Sequence, residues 1–131
     1  MLWLRCAEEE AYRYPPLVLA YVGDAVHDLM VRTGLAFSGE SVRSMHGAAT
    51  REVNAAAQAE GLGRIEGMLT EEEADVVRRG RNAHAHHGVP KRVKALDYAR
   101  ATGLEALFGF LYLTGRIDRL KMLYIAMRRE A

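Results

Sequence analysis

A chain of 131 residues is about one domain's worth, since domains typically run ~100–150 residues. Half of its residues are apolar, the formal net charge is +1, and the one cysteine, Cys6, has no partner within the chain. Intrinsic disorder and a disulfide-stapled scaffold are therefore excluded.

The first residues, Met1-Leu-Trp-Leu-Arg, run quickly into Glu8-Glu9-Glu10, too short an apolar stretch for a signal peptide. The longest apolar runs, Leu17 to Val22 and Ala106 to Leu113, fall far short of the ~20 residues of a membrane span. With the lone thiol, this sets the expectation of a cytoplasmic protein with no membrane partner. Tyr14-Pro15-Pro16 starts a helix, because proline is tolerated in a first turn. Leu19, Val22, Val26, Leu29 and Met30 then recur at helical spacing until Gly34. After a loop over 36–40, Val42, Met45, Ala49, Val53, Ala56 and Ala57 predict a second amphipathic helix ending near Gly61 and Gly63. A short turn of helix is expected around 64–68.

Thr70-x-x-Glu73 is a capping box, with Glu71 and Glu72 in the turn where the helix dipole favours acids. Arg78, Arg79 and Gly80 are read as the end of that helix. A long helix follows from about Leu96 to Thr114, broken by Gly115. Ile117, Leu120, Leu123, Tyr124 and Met127 predict the last one. No alternating strand pattern, repeat or linker is present, so the expected fold class is all-α.

The net charge conceals a separation. The 17 residues from Arg78 to Lys94, RRGRNAHAHHGVPKRVK, hold six of the 18 Lys and Arg, three of the five His and no acid. The remainder carries 12 bases and all 17 acids, a net of −5. A basic loop on an acidic domain can displace counterions from phosphates, or can simply be solvated with its arginines capping a helix. His84, His86 and His87 lack the H-x-x-x-H spacing of a helical zinc site and have no cysteine nearby, which argues against metal ligation there.

Fifteen acids lie in polar surroundings, as in the Glu8 and Glu71 clusters. Asp24, inside LVLAYVGDAV, and Glu105, inside TGLEALFGFLYL, do not. A carboxylate in such an apolar helix needs a partner cation or a place on the solvent stripe. If the two helices cross, Asp24 and Glu105 converge on one divalent cation, and hard oxygen ligands without cysteine imply Mg²⁺ or Mn²⁺. Beside a basic loop, this suggests phosphodiester hydrolysis of a nucleic acid. Asp28 shares the face of Asp24 one turn on, either as an auxiliary group or as a plain exposed acid.

Tyr21-Val22-Gly23-Asp24-Ala25-Val26, with an acid at Asp28, resembles the signature helix of the ribonuclease III domain. Leu104-Glu105-Ala106-Leu107-Phe108-Gly109-Phe110-Leu111-Tyr112-Leu113 resembles that domain's second metal-binding helix. Arg79-Gly80-Arg81-Asn82-Ala83 and Val89-Pro90-Lys91 are similar to the loop of the Mini-III subfamily, which has this catalytic domain and no double-stranded-RNA-binding domain. The resemblance spans about 15–125, so residues 1–131 are expected to form a single ribonuclease III-like domain.

The resemblance implies a helical homodimer cleaving double-stranded RNA with Mg²⁺, leaving 5′-phosphates and short 3′ overhangs. It also implies a large-subunit (23S) ribosomal RNA precursor as substrate and a large-subunit ribosomal protein as a candidate partner. Asp24 and Glu105 match the catalytic, metal-binding aspartate and glutamate. The family's two further carboxylates fall at Ala20 and Thr102, as looks typical of Mini-III, which favours one metal ion over two.

Arg78, Arg79, Arg81, Asn82, Lys91, Arg92 and Lys94 are the candidate RNA contacts. A-form RNA presents mainly phosphates and 2′-hydroxyls. His46, Thr50 and Asn54 form a polar stripe that either follows a minor groove or is solvated. Trp3 and the six Met read as core or interface filling. The competing readings are an inactive ribonuclease III-like module that binds structured RNA or ribosomal particles, and a four-helix protein with a structural metal. The latter's Glu-x-x-His pattern is absent.

Overall fold

A computed structural model describes residues 4–83 and 94–128. Seven α-helices follow in order: α1 (Glu8–Arg13), α2 (Pro16–Ala36), α3 (Val42–Val53), α4 (Ala55–Ile65), α5 (Glu71–Ala83), α6 (Ala95–Leu113) and α7 (Ile117–Arg128). A 3₁₀ turn, Glu66–Met68, links α4 to α5. No strand occurs among the described residues, in agreement with the all-α expectation.

The centre of the core is α6. A helix apolar all round is expected to be buried, and the run from Ala101 to Leu111 is buried at every position except Glu105. Helices α2, α5 and α4 pack against it, and α7 packs on both α4 and α6. Leu19, Leu62, Ile65, Leu104, Leu107, Phe108, Phe110 and Leu123 form the most enclosed layer.

Glycines set how closely α6 is approached. A Cβ added at Gly23 of α2 would lie 1.6 Å from the carbonyl oxygen of Glu105. One added at Gly109 of α6 would lie 1.9 Å from the carbonyl oxygen of Leu19. The two helices therefore touch backbone to backbone, at a separation no side chain permits. Gly80 of α5 and Gly103 of α6 repeat this less severely, at 2.9 Å from the Gly103 Cα and 2.8 Å from the Val77 carbonyl oxygen.

The helix ends follow local signals. The capping box forms as expected, Thr70 N donating to Glu73 Oε1 at 2.9 Å and Glu73 N to Thr70 Oγ1 at 3.1 Å. Gly115, at φ 75°, ends α6 in a Schellman turn, with Gly115 N donating to Tyr112 O and Arg116 N to Leu111 O.

Five details differ from the sequence reading, the first being that α2 runs through Gly34 to Ala36. The second expected helix is two: Asn54 is extended at ψ 161°, ends α3, and caps α4 by accepting from Ala57 N at 2.9 Å. Helix α5 does not stop at Gly80 but continues to Ala83, because Gly80 is the point of closest packing on α6. The acid cluster at Glu8 forms the short helix α1, which Arg116 ties down by pairing with both Glu8 and Glu72. Glu73 belongs to the core rather than to solvent, 2 % exposed and bonded twice by Arg119, at 2.7 and 2.8 Å. Burial pushes its carboxyl up, but the hydrogen bonds from Arg119 and Thr70 outweigh that and hold it below the usual carboxylate range.

The backbone contact predicts opposite outcomes for two glycines in one helix. Gly23→Ala should cost about 3 kcal/mol of unfolding free energy through overpacking. Gly34→Ala, where an added Cβ meets nothing within 4 Å, should gain about 0.5–1 kcal/mol. Urea denaturation of both variants checks the pair; equal effects would contradict the close approach.

Candidate active site

The contact at Gly23 also brings the two anomalous acids together. Asp24 is the next residue along α2, and the carbonyl that abuts Gly23 belongs to Glu105. The two carboxyl groups lie close enough for the charge of Asp24 to act on Glu105. Asp24 is exposed and Glu105 half-buried, so the pair sits at the surface end of the α2–α6 crossing. Burial and the negative charge of Asp24 push the Glu105 carboxyl up to about 8, against a smaller opposing effect from Gln58. Near neutral pH the pair therefore retains a proton that a cation can replace.

The side chain behind Glu105 is Gln58 of α4. Its amide nitrogen lies 3.4 Å from Glu105 Oε2 and 2.9 Å from Nδ1 of His27. Gln58 and His27 are both buried, and neither was singled out from the sequence. The available signal was their register: Gln58 lies on the stripe of Leu62 and Ile65, and His27 on that of Leu19 and Val31, so each is a polar group on a core-facing stripe.

Asp28 is not drawn into the pair. It bonds Arg32 on its own helix at 2.9 Å. At the two positions where the resemblance leads one to look for further carboxylates, Ala20 is buried and Thr102 donates its hydroxyl to Tyr98 O at 3.0 Å. Among the described residues no group of three or more His, Cys, Asp or Glu could hold a metal ion. The donor set is thus two adjacent carboxylates. That suits Mg²⁺, which commonly takes one or two protein carboxylates and fills its octahedron with water and substrate oxygens.

The candidate RNA contacts fall into five groups. Arg79 is turned inward, donating to Tyr12 O at 2.9 Å and Tyr14 O at 3.2 Å with its guanidinium over the Tyr12 ring, and so holds α1 to α5. Arg78 is exposed but paired with Asp75. Asn82 and Lys94 are exposed at the end of α5 and the start of α6, and half-buried Arg81 lays its side-chain stem along Gly103. Lys91, Arg92 and the three histidines His84, His86 and His87 lie outside the described residues. On α3, His46 is exposed, while the Thr50 hydroxyl donates to His46 O at 3.0 Å.

Next to Asp24, α2 carries a broad uncovered apolar face. Leu17, Val18, Tyr21 and Leu29 are exposed, Tyr21 by 83 %. A groove of about 470 Å³ runs between Tyr21, Val22, Asp24, Ala25, Leu29 and Tyr112 of α6.

The raised Glu105 carboxyl fixes the sign of one pH effect. A group held above its ordinary value of 4.5 in the fold binds its proton more tightly there than in the unfolded chain. Its contribution to stability is fully present below about pH 4.5 and is lost as pH rises through about 8. The melting temperature of metal-free protein should fall over that window more steeply than that of Glu105→Gln. Superimposable curves would contradict the buried, coupled carboxyl.

Comparison with known proteins bears on the family and the fold. The family model described as the ribonuclease III domain matches residues 17–116. Mini-ribonuclease 3 of Symbiobacterium thermophilum is 50 % identical over 107 residues, covering 81 % of this chain and 82 % of that protein. Mini-ribonuclease 3 of Brevibacillus brevis is 43 % identical over 118 residues, covering 86 % and 87 %. A crystal structure of a Fusobacterium nucleatum protein superposes with a TM-score of 0.80 at 27 % identity, over 86 % of this chain and 90 % of that one. The chain belongs to the Mini-ribonuclease 3 family of ribonuclease III domain proteins.

Proposed function

We propose that this protein is a Mg²⁺-dependent endoribonuclease that hydrolyses phosphodiester bonds of double-stranded RNA and leaves 5′-phosphates. The adjacent carboxyls of Asp24 and Glu105 at the α2–α6 crossing are the observation that carries this reading. Those two residues would hold the cation, with Mn²⁺ as a substitute. Bound there, it would polarise a phosphoryl oxygen and lower the pKa of an attacking water.

The chain's own groups divide the remaining work. Asp24, on the exposed side, faces the incoming backbone, while Glu105 is steadied from the core by Gln58. Arg81, Asn82 and Lys94 join Lys91 and Arg92 as the phosphate and 2′-hydroxyl grip; such contacts position a duplex without reading its sequence. Arg78 contributes once RNA competes for it with Asp75, and His46 and Thr50 of α3 extend the polar surface. Arg79 acts indirectly, by keeping α5 in place.

The exposed apolar stripe of α2 supports a homodimer, since a soluble chain rarely leaves so continuous a face uncovered. Two copies joined there would carry one carboxylate pair each, one for each strand of a duplex. The names of the relatives support RNA processing, and the substrate proposed is the 23S ribosomal RNA precursor in the cytoplasm, with a large-subunit ribosomal protein as a candidate partner. No helix among the described residues is long and apolar enough to cross a membrane. Residues 1–131 act as one catalytic domain in this reading. Ala20 and Thr102, in place of further carboxylates, favour a single metal ion, and they also motivate the rival reading of a binding module that does not cut.

Cleavage of a long RNA duplex separates the readings. Wild-type protein should cut with Mg²⁺, stop with EDTA, and lose about a thousandfold in rate as Asp24→Asn, the equivalent of several kcal/mol of transition-state stabilisation. Cleavage that survives both EDTA and Asp24→Asn would contradict the metal-carboxylate mechanism. Binding without cleavage by the wild type would favour the inactive module. For the basic segment, Arg81→Ala should weaken binding to every duplex and reduce the slope of log affinity against log salt by about 1. An unchanged slope would mean that the RNA lies elsewhere.

A further inference from the structure

Gln58 and His27 are, with Glu73 and Thr102, the buried polar residues of the core. Glu73 is neutralised by Arg119 and Thr102 is satisfied by its own helix. Among the described residues, the side-chain hydrogen bonds of Gln58 and His27 run to each other and to Glu105. Gln58 is 2 % exposed and His27 1 %. With Glu105 ionised, as cation binding requires, the hydrogen-bond roles are set. A carboxylate oxygen accepts, so the amide edge of Gln58 that faces Glu105 Oε2 is its NH₂. The second hydrogen of that NH₂ points to His27 Nδ1, which accepts it at 2.9 Å and leaves the ring proton on Nε2.

That arrangement is locked in place. His27 Nε2 is buried and has no hydrogen-bond partner among the described residues, so packing and the bond at Nδ1 are what hold the ring. The ring stands edge-on to Phe108, with centroids 5.6 Å apart, and to Tyr124, at 5.9 Å. Tyr124 is held in turn by its hydroxyl, which donates to Glu52 Oε2 at 2.8 Å. A neutral amide and a neutral imidazole are thus fixed in the core by aromatic packing, and the one outward product of that fixing is a donor aimed at Glu105.

We infer that Gln58, held by His27, is a positioning residue that keeps the Glu105 side chain beside Asp24 in the orientation a shared divalent cation requires. The inference rests on the reading of Asp24 and Glu105 as the metal ligands. Groups that orient a ligating side chain typically set metal affinity by 10- to 100-fold when removed. Gln58 does so here from α4, so three helices rather than two define the site.

The test is Mn²⁺ binding to RNA-free protein, followed through the electron paramagnetic resonance signal of unbound Mn²⁺, for wild type, Gln58→Leu, Gln58→Asn and Asp24→Asn. Thermal melting identifies the folded variants, and the Mg²⁺ concentration giving half-maximal duplex cleavage is measured alongside. Gln58→Leu should weaken Mn²⁺ binding by about 10- to 100-fold and raise the Mg²⁺ requirement by the same factor. Gln58→Asn keeps the amide but falls one methylene short. It should do the same, and it replaces Gln58→Leu if the latter does not melt cooperatively. Wild-type Mn²⁺ affinity in a folded Gln58 variant overturns the inference alone, even if its melting temperature is lower. Wild-type affinity in Asp24→Asn, or no Mn²⁺ binding by wild type, overturns the metal-ligand reading and this inference with it.

Discussion

Everything in the site depends on a contact that contains no side chain. Gly23 and Gly109 let α2 and α6 meet backbone against backbone, within a distance that a methyl group at either position would abolish. Asp24 stands one residue from that contact, and Glu105 supplies one of the carbonyls in it. The carboxyl pair is therefore set by main-chain geometry, which is stiffer than any rotamer. The cost is a half-buried Glu105 with a like-charged neighbour, visible in a carboxyl pushed up to about 8. A carboxyl pair that is uncomfortable without a counter-charge is the physical basis of the proposed cation site.

The second constraint is enclosure. Glu105 is the one residue between Ala101 and Leu111 that α6 does not bury, and Gln58 reaches it from the opposite helix. The molecule thus places one exposed acid on α2 against one half-buried acid on α6, the latter bonded by Gln58. Such asymmetry suits a cation that must be gripped by the protein and still shared with a phosphate. Around the site, the protein spends several of its arginines internally: Arg79 on the carbonyls of Tyr12 and Tyr14, Arg119 on Glu73, Arg116 on Glu8 and Glu72. Of the basic residues in 78–94, Arg79 is thus turned inward and Arg78 is already paired with Asp75.

Features carried by neighbouring residues were legible in the sequence. The Thr70–Glu73 box, the stop at Gly115 and the outline of α2, α6 and α7 each follow from a local signal and reappear in the structure. Asp24 and Glu105 stood out because an acid in an apolar run is costly wherever the run packs. Features decided by a partner distant in sequence were not legible. Asn54 sits within an unbroken helical periodicity, and only its capping bond to Ala57 shows that the chain turns there. Gly80 has the look of a helix end, but packing against Gly103 carries α5 past it. Glu73 was grouped with solvated acids because its neighbours are acids, whereas Arg119, 46 residues away, makes it a core residue. Gln58 resembles any polar residue of an alanine-rich helix until His27 and Glu105 are seen on either side of it.

The central claim is that two carboxylates, brought together by the α2–α6 backbone contact, hold one divalent cation. Crystals soaked in Mn²⁺ and measured at a wavelength where manganese scatters anomalously test it directly. The expected result is one anomalous peak per chain, bridging the carboxylates of Asp24 and Glu105. A peak at another group of residues, or one that touches only one of these two side chains, would contradict it.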